Sequence, residues 1–143
     1  MQKIILIGSG NVAHHLGNAF CNAGHKIVQV ISKSDKNAKV LAQKLNTGFD
    51  TDINKIKKAD FAIVATNDDA IARIASQIKN MPCAHTSGSV TLEKVGVFYP
   101  LQTFSKEVPL DLEEVPLCVS AEDKIFEVAL IKLAKSISNQ VFQ

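Results

Sequence analysis

Lys3-Ile4-Ile5-Leu6-Ile7-Gly8-Ser9-Gly10-Asn11-Val12-Ala13 carries a short apolar run straight into two closely spaced glycines. A run of Ile and Leu of this length predicts a strand buried on both faces, as in a parallel sheet. Val12, Leu16, Phe20 and Ala23 then recur at helical spacing and predict a helix, with Gly24 as its stop. Strand, glycine turn and helix in this order are the context that a Gly-x-Gly-x-x-Ala dinucleotide fingerprint requires. Gly8 permits the tight turn, Gly10 lets the backbone approach a pyrophosphate, and Ala13 keeps helix and strand close. Ser9, Asn11 and Val12 complete the turn, where the helix N-terminus offers N–H groups and a positive dipole end to phosphates. An ordinary strand–turn–helix that happens to hold two glycines is the plain alternative; the adjacent strand favours the fingerprint.

Composition narrows the class. At 143 residues the chain has the length of one domain, and its 46% hydrophobic and 21% charged content is that of a globular protein. The net charge of +2 comes with no long basic run, and Lys33, Lys36, Lys39 and Lys44 are spaced like the solvated face of a helix, so nucleic acid is not an expected partner. No apolar run approaches membrane-spanning length, and the first residues enter a core strand at once. A cytoplasmic protein with no membrane partner and no cleaved targeting segment is therefore expected. Cys21, Cys83 and Cys118 are odd in number and show no Cys-x-x-Cys spacing, which reads as reduced thiols. His14 and His15 are neighbours on a helix and point in different directions, so they do not chelate one ion, and no metal site is expected.

Further along, apolar strands alternate with amphipathic helices. Strands are expected at 26–31, 48–49, 60–65, 82–86, 95–99 and 116–119. Ser34 is expected to cap a helix that turns Ala38, Leu41 and Leu45 inward. Thr66-Asn67-Asp68-Asp69 opens a helix holding Ile71, Ile74, Ala75 and Ile78. Ser120 with Asp123 resembles a capping box for a last helix over 121–138. This alternation predicts an α/β fold with a doubly wound, mostly parallel Rossmann sheet and helices on both faces, as a single domain over 1–143.

Ligands of such folds lie at the carboxyl ends of the strands. After the second strand the chain reads Ser32-Lys33-Ser34, with none of the acid that binds the ribose 2′-OH of NAD. Two hydroxyls and an ammonium suit the 2′-phosphate of NADP; a merely exposed Lys33 is the plain alternative. Thr66 and Asn67 are read both as cofactor-lining groups and as helix caps, with Asp68 and Asp69 complementing the helix dipole. His85-Thr86-Ser87-Gly88-Ser89 falls where a nicotinamide ring would lie. Its Thr86, Ser87 and Gly88 are candidate cofactor contacts, and His85 and Ser87 are weak catalytic candidates, His85 as a general acid. Tyr99-Pro100-Leu101-Gln102-Thr103-Phe104-Ser105 turns the chain across the site, with Gln102 and Thr103 as candidate substrate contacts.

Three of these motifs in this order, Gly8–Ala13, His85–Ser89 and Pro100–Phe104, resemble a bacterial family of NADP oxidoreductases in which a Rossmann-like domain precedes a helical domain. The family is similar to the coenzyme F420-dependent NADP oxidoreductases and more distantly to pyrroline-5-carboxylate reductase and β-hydroxyacid dehydrogenases. The resemblance implies hydride transfer between NADP(H) and a small-molecule substrate. It implies cofactor contacts at Gly8, Gly10, Asn11 and Val12, Ser32 and Lys33 toward the 2′-phosphate, and Thr86, Ser87 and Gly88 near the nicotinamide or substrate. The family usually has His where this chain has Tyr99, so no role transfers there. Family members continue into the helical domain, whereas this sequence stops at Gln143. A strand beginning within 139–143 and a wide apolar arc on the last helix lead us to expect a homodimer or a missing neighbour. A non-catalytic nucleotide-sensing Rossmann module is the competing expectation; such modules usually keep the acid that is missing after the second strand.

Overall fold

Ile4, Ile5, Leu6 and Ile7 are buried to within 2% of full exclusion from solvent, because they stand in the middle of an eight-stranded sheet. The structure, a computed structural model, describes residues 1–102 and 111–143. In chain order it comprises β1 (Lys3–Ile7), α1 (Asn11–Asn22), β2 (Lys26–Ile31), α2 (Asp35–Lys44), β3 (Gly48–Asp50) and β4 (Phe61–Val64). Next come α3 (Asp68–Ser76), β5 (Cys83–His85), β6 (Gly96–Pro100), β7 (Leu117–Ser120), α4 (Lys124–Lys135) and β8 (Val141–Phe142). Single 3₁₀ turns lie at Ile53–Lys55 and Leu112–Glu114.

The strand order is β3-β2-β1-β4-β5-β6-β7-β8. Its first six strands are the doubly wound 3-2-1-4-5-6 arrangement. All described pairings are parallel except β6 with β7. Side chains alternate across the sheet and serve two cores. Ile4 and Leu6 face Leu16 and Phe20 of α1, Leu41 of α2, and Phe126, Leu130 and Leu133 of α4. Ile5 and Ile7 face Ile71, Ile74 and Ala75 of α3. Helices thus cover both faces. The chain order reverses between β1 and β4, which opens the crevice that receives the ligand in such sheets.

Three expectations need correction. Ala23 is exposed at the C-cap of α1; the inward stripe is Ala13, Leu16, Gly17 and Phe20. Val12 is half-buried, packs against the same core and also lines the crevice at the strand reversal. The last helix begins at Lys124, later than expected, because Asp123 itself caps it, its carboxylate accepting from the N–H groups of Ile125 (2.9 Å) and Phe126 (3.1 Å). Ser120 belongs to β7. Part of the wide apolar arc of α4 stays in solvent, with Ile125 86% and Val128 52% exposed.

Two polar side chains fix the segments on either side of β2. Ser34 caps α2, its Oγ accepting from Asn37 N at 3.2 Å. Gln29, buried in β2, donates from Nε2 to the Lys55 carbonyl (3.1 Å) and accepts from Lys57 N at Oε1 (2.9 Å). This bond pair seats the 3₁₀ turn with Ile53 and Ile56 against the second core. Cys21, Cys83 and Cys118 are free thiols. Burial pushes Cys83 up to about 11 and also raises Cys21, so at neutral pH these two are packing groups rather than nucleophiles. Among the described residues no helix is long and apolar enough to cross a membrane.

Candidate functional site

The glycine turn sits at the point of strand reversal. Gly8 N donates to the Ile31 carbonyl at 2.8 Å, and Ala65 N donates to the Ile7 carbonyl at 2.7 Å, so the turn is wedged between the ends of β2 and β4. Gly8 has φ +117°, and a Cβ there would stand 2.2 Å from the Ala65 carbonyl oxygen. Gly10 is the N-cap of α1 in extended conformation, and a Cβ there would meet nothing within 4 Å. The two glycines therefore have different reasons. The first is demanded by the fold, while the second leaves open space beside the N-terminus of α1.

α1 also differs from the other helices. It has neither a side-chain cap nor an acid in its first turn. By contrast α2 begins with Asp35, α3 with Asp68 and Asp69, and α4 carries Glu127. The positive end of α1 is not offset by its own carboxylates and points at the open space beside Gly10, a setting that attracts an anion.

A cavity of about 560 Å³ extends from this turn. Gly8, Ser9, Gly10, Asn11 and Val12 form its floor, and Ser32 and Lys33 its edge after β2. Thr66, Asn67 and Gln102 border it as well. Ser9 Oγ and Ser32 Oγ are 2.6 Å apart and tie the turn to the end of β2. Ser34 does not line the cavity, since its hydroxyl caps α2. Thr103 lies outside the described residues. Three polar lining residues escaped the sequence reading, namely Thr51, Arg73 and Gln77. Along α3 and its C-cap, Ala70, Arg73, Ile74 and Gln77 make a second stripe at i, i+3, i+4 and i+7, beside the core stripe of Ile71, Ile74, Ala75 and Ile78. Lys33 and Arg73 bring two cations to the lining, and among the described residues no carboxylate accompanies them.

The His85–Ser89 segment leaves β5 one strand away and does not line that cavity. His85 is fully buried, its Nδ1 accepting from Ser87 N at 3.1 Å. The ring proton of the neutral form therefore sits on Nε2. Burial holds this imidazole below its usual range, outweighing the upward pull of the Val90 backbone and the Asp68 carboxylate. Protonation would also cost the Ser87 bond, so His85 anchors the loop as a neutral ring. Thr86 and Ser87 are buried beside it. Gly88 lies under Tyr99, where a Cβ would be 2.4 Å from Cε2 of the ring.

Two imidazoles, His85 in the core and the half-buried His25, make stability depend on pH. His25 accepts from Gln2 N at Nδ1 (3.0 Å) and is, like His85, lowered, by burial first and by the N-terminal charge second. Both rings bind protons more readily once unfolded. Their contribution to stability is thus complete above the ordinary value of 6.5 and is lost as the pH falls below it. The urea midpoint is expected to be lower at about pH 5.5 than at about pH 7.5; a flat profile over that window would contradict the assignment of both rings.

Sheet order, glycine turn and crevice together define a Rossmann-like dinucleotide-binding domain. The chain belongs to the family described as NADP oxidoreductase, coenzyme F420-dependent, whose model matches residues 3–86. Among solved structures it is similar to one from Bacteroides fragilis named as a putative NADP oxidoreductase, with 34% identity and a TM-score of 0.90 over 99% of this chain and 60% of that one. A Synechocystis arogenate dehydrogenase (11% identity, TM-score 0.83, 98% of this chain and 58% of that one) shares the fold. So does a pyrroline-5-carboxylate reductase from Streptococcus pyogenes (12% identity, TM-score 0.77, 99% and 57%). The chain spans about three fifths of the length of these structures. No curated protein sequence matches it significantly.

Proposed function

We propose that the chain binds NADP(H) in the cytoplasm as the cofactor domain of an oxidoreductase acting on a small-molecule substrate. The observation that carries this reading is the charge of the cavity, with Lys33 and Arg73 in its lining and no carboxylate among the described residues there. A 2′-phosphate is a dianion that such a lining favours, whereas the ribose 2′-OH of NAD calls for an acid. Gly10 and the first turn of α1 hold the pyrophosphate, and the apolar faces of Ile53, Ala70 and Ile74 take the adenine. The chemistry supplied by the bound nicotinamide is the gain or loss of a hydride. The protein's part is to bind and orient, with Asn67 and Gln102 on the side of the crevice toward β5 and β6.

NADPH is accordingly expected to bind more tightly than NADH in a fluorescence titration. Lys33→Asp, which installs the missing acid, is expected to erase that preference. One charge-assisted contact is worth about 1.5–3 kcal/mol, or roughly a ten- to hundredfold difference between the cofactors. Equal affinities for the two in the unmutated chain would overturn the assignment.

A further inference from the structure

Beside the cavity one group of polar side chains is bonded end to end. Ser89 Oγ donates to Asp68 Oδ2 at 2.9 Å, and Ser87 Oγ and Ser89 Oγ are 3.3 Å apart. Ser89 has one hydroxyl proton and gives it to the carboxylate, so Ser87 is the donor in the second bond. The Ser87 oxygen in turn accepts from Ser89 N at 3.1 Å, and Ser87 N is bonded to His85 Nδ1. Asp68 therefore sets the direction of both hydroxyl protons in the series. It is the first residue of α3 and follows Asn67, which borders the cavity. Ser87 and Ser89 belong to the loop after β5. The series thus ties the end of β4 to the end of β5, the half of a doubly wound sheet that receives the second nucleotide of a dinucleotide.

The loop is held at three points: His85 in the core, Gly88 under the Tyr99 ring, and Ser89 on Asp68. His85 lies in the core, whereas Gly88 and Ser89 are both exposed, and of these two the Ser89–Asp68 contact is the side-chain bond that a substitution removes without opening a core. A dipole partner for α3 does not account for it, since Asp69 stands in the same first turn. We propose that Asp68 is a positioning residue which, through Ser89, fixes the Ser87 hydroxyl and the 86–89 loop against the nicotinamide half of the cofactor. This inference rests on the proposed binding of NADP(H).

The test separates the two halves of the ligand. Affinities for NADPH and for 2′,5′-ADP, which lacks the nicotinamide half, are measured for Asp68→Ala, Asp68→Asn, Ser89→Ala and the Asp68→Ala/Ser89→Ala double variant, with Asp69→Ala as the dipole control. Asp68→Ala and Ser89→Ala are each expected to weaken NADPH about tenfold while 2′,5′-ADP stays within about twofold. The double variant is expected to be no weaker than either single one, because both break one series. Asp68→Asn, which keeps an acceptor oxygen, is expected to recover most of the loss, and Asp69→Ala to leave both ligands unchanged. Unchanged NADPH affinity in the single variants, additive losses, or a parallel loss of 2′,5′-ADP would overturn the inference alone. No saturable binding of either ligand to the unmutated chain would overturn the NADP(H) reading, and this inference with it.

Discussion

Gly10→Val is expected to weaken NADPH binding by a hundredfold or more while the protein stays folded. The backbone at Gly10 has φ −86° and ψ −163°, which a β-branched residue adopts without strain. The protein offers no atom within 4 Å of the added Cβ, so the native chain accommodates it. Its cost to the fold is that of a poorer N-cap, about 1 kcal/mol. The same space is where a pyrophosphate must come close to the first N–H groups of α1, and losing about 3 kcal/mol of that contact corresponds to the hundredfold figure. Titration by nicotinamide fluorescence beside a thermal melt separates the two effects. Unchanged affinity would mean that the cofactor does not pass over this turn.

Gly8→Ala is expected to do the reverse and unfold the protein readily. At φ +117° a side chain is strained by about 1–3 kcal/mol, and the new Cβ would lie 2.2 Å from the backbone oxygen of Ala65. That oxygen cannot swing aside as a side-chain tip can, because the backbone there is bonded to β1 through Ala65 N and the Ile7 carbonyl. Forcing β1 and β4 apart adds a further cost of about 1–3 kcal/mol, typical of overpacking. A fall in melting temperature on the order of 10 °C corresponds to the sum for a domain of this size. A melting temperature within a degree or two of the unmutated protein would refute the close approach. Two glycines separated by one residue thus have opposite readouts, one in stability and one in affinity.

Much of this architecture is legible in the sequence. The burial of Ile4 to Ile7, the cap at Ser34 and the inward stripe of α3 follow from period and residue type alone, because each is a local preference that the sheet reinforces. Ala23 and Ser120 mislead for a related reason. A helical period continues through Ala23 although the helix has ended, and Ser120 fits a cap although Asp123, nearer the helix, takes that role. Arg73 and Gln77 are hidden because a surface stripe of mixed polarity looks like any solvated helix face until the strand order brings β2 and α3 to one cavity. The Asp68–Ser89 bond is equally invisible, since it joins residues 21 apart through the pairing of β4 with β5. The resemblance to NADP oxidoreductases agrees with the family match, while Thr103 falls outside the described residues.

The contact between Gly88 and Tyr99 makes these two positions one heritable unit. With the tyrosine ring in place, any side chain at 88 must displace it, so the room at 88 is set by a residue eleven positions later, in β6. A shorter side chain at 99 would withdraw that wall and release 88 to vary. The wall stands beside the loop anchored by His85 and Ser89, so an exchange at 99 would also change how much room that loop has. A side chain at 88 is therefore expected to be accepted only after the ring at 99 has moved or been exchanged, so the order of change at this end of the sheet runs from 99 to 88.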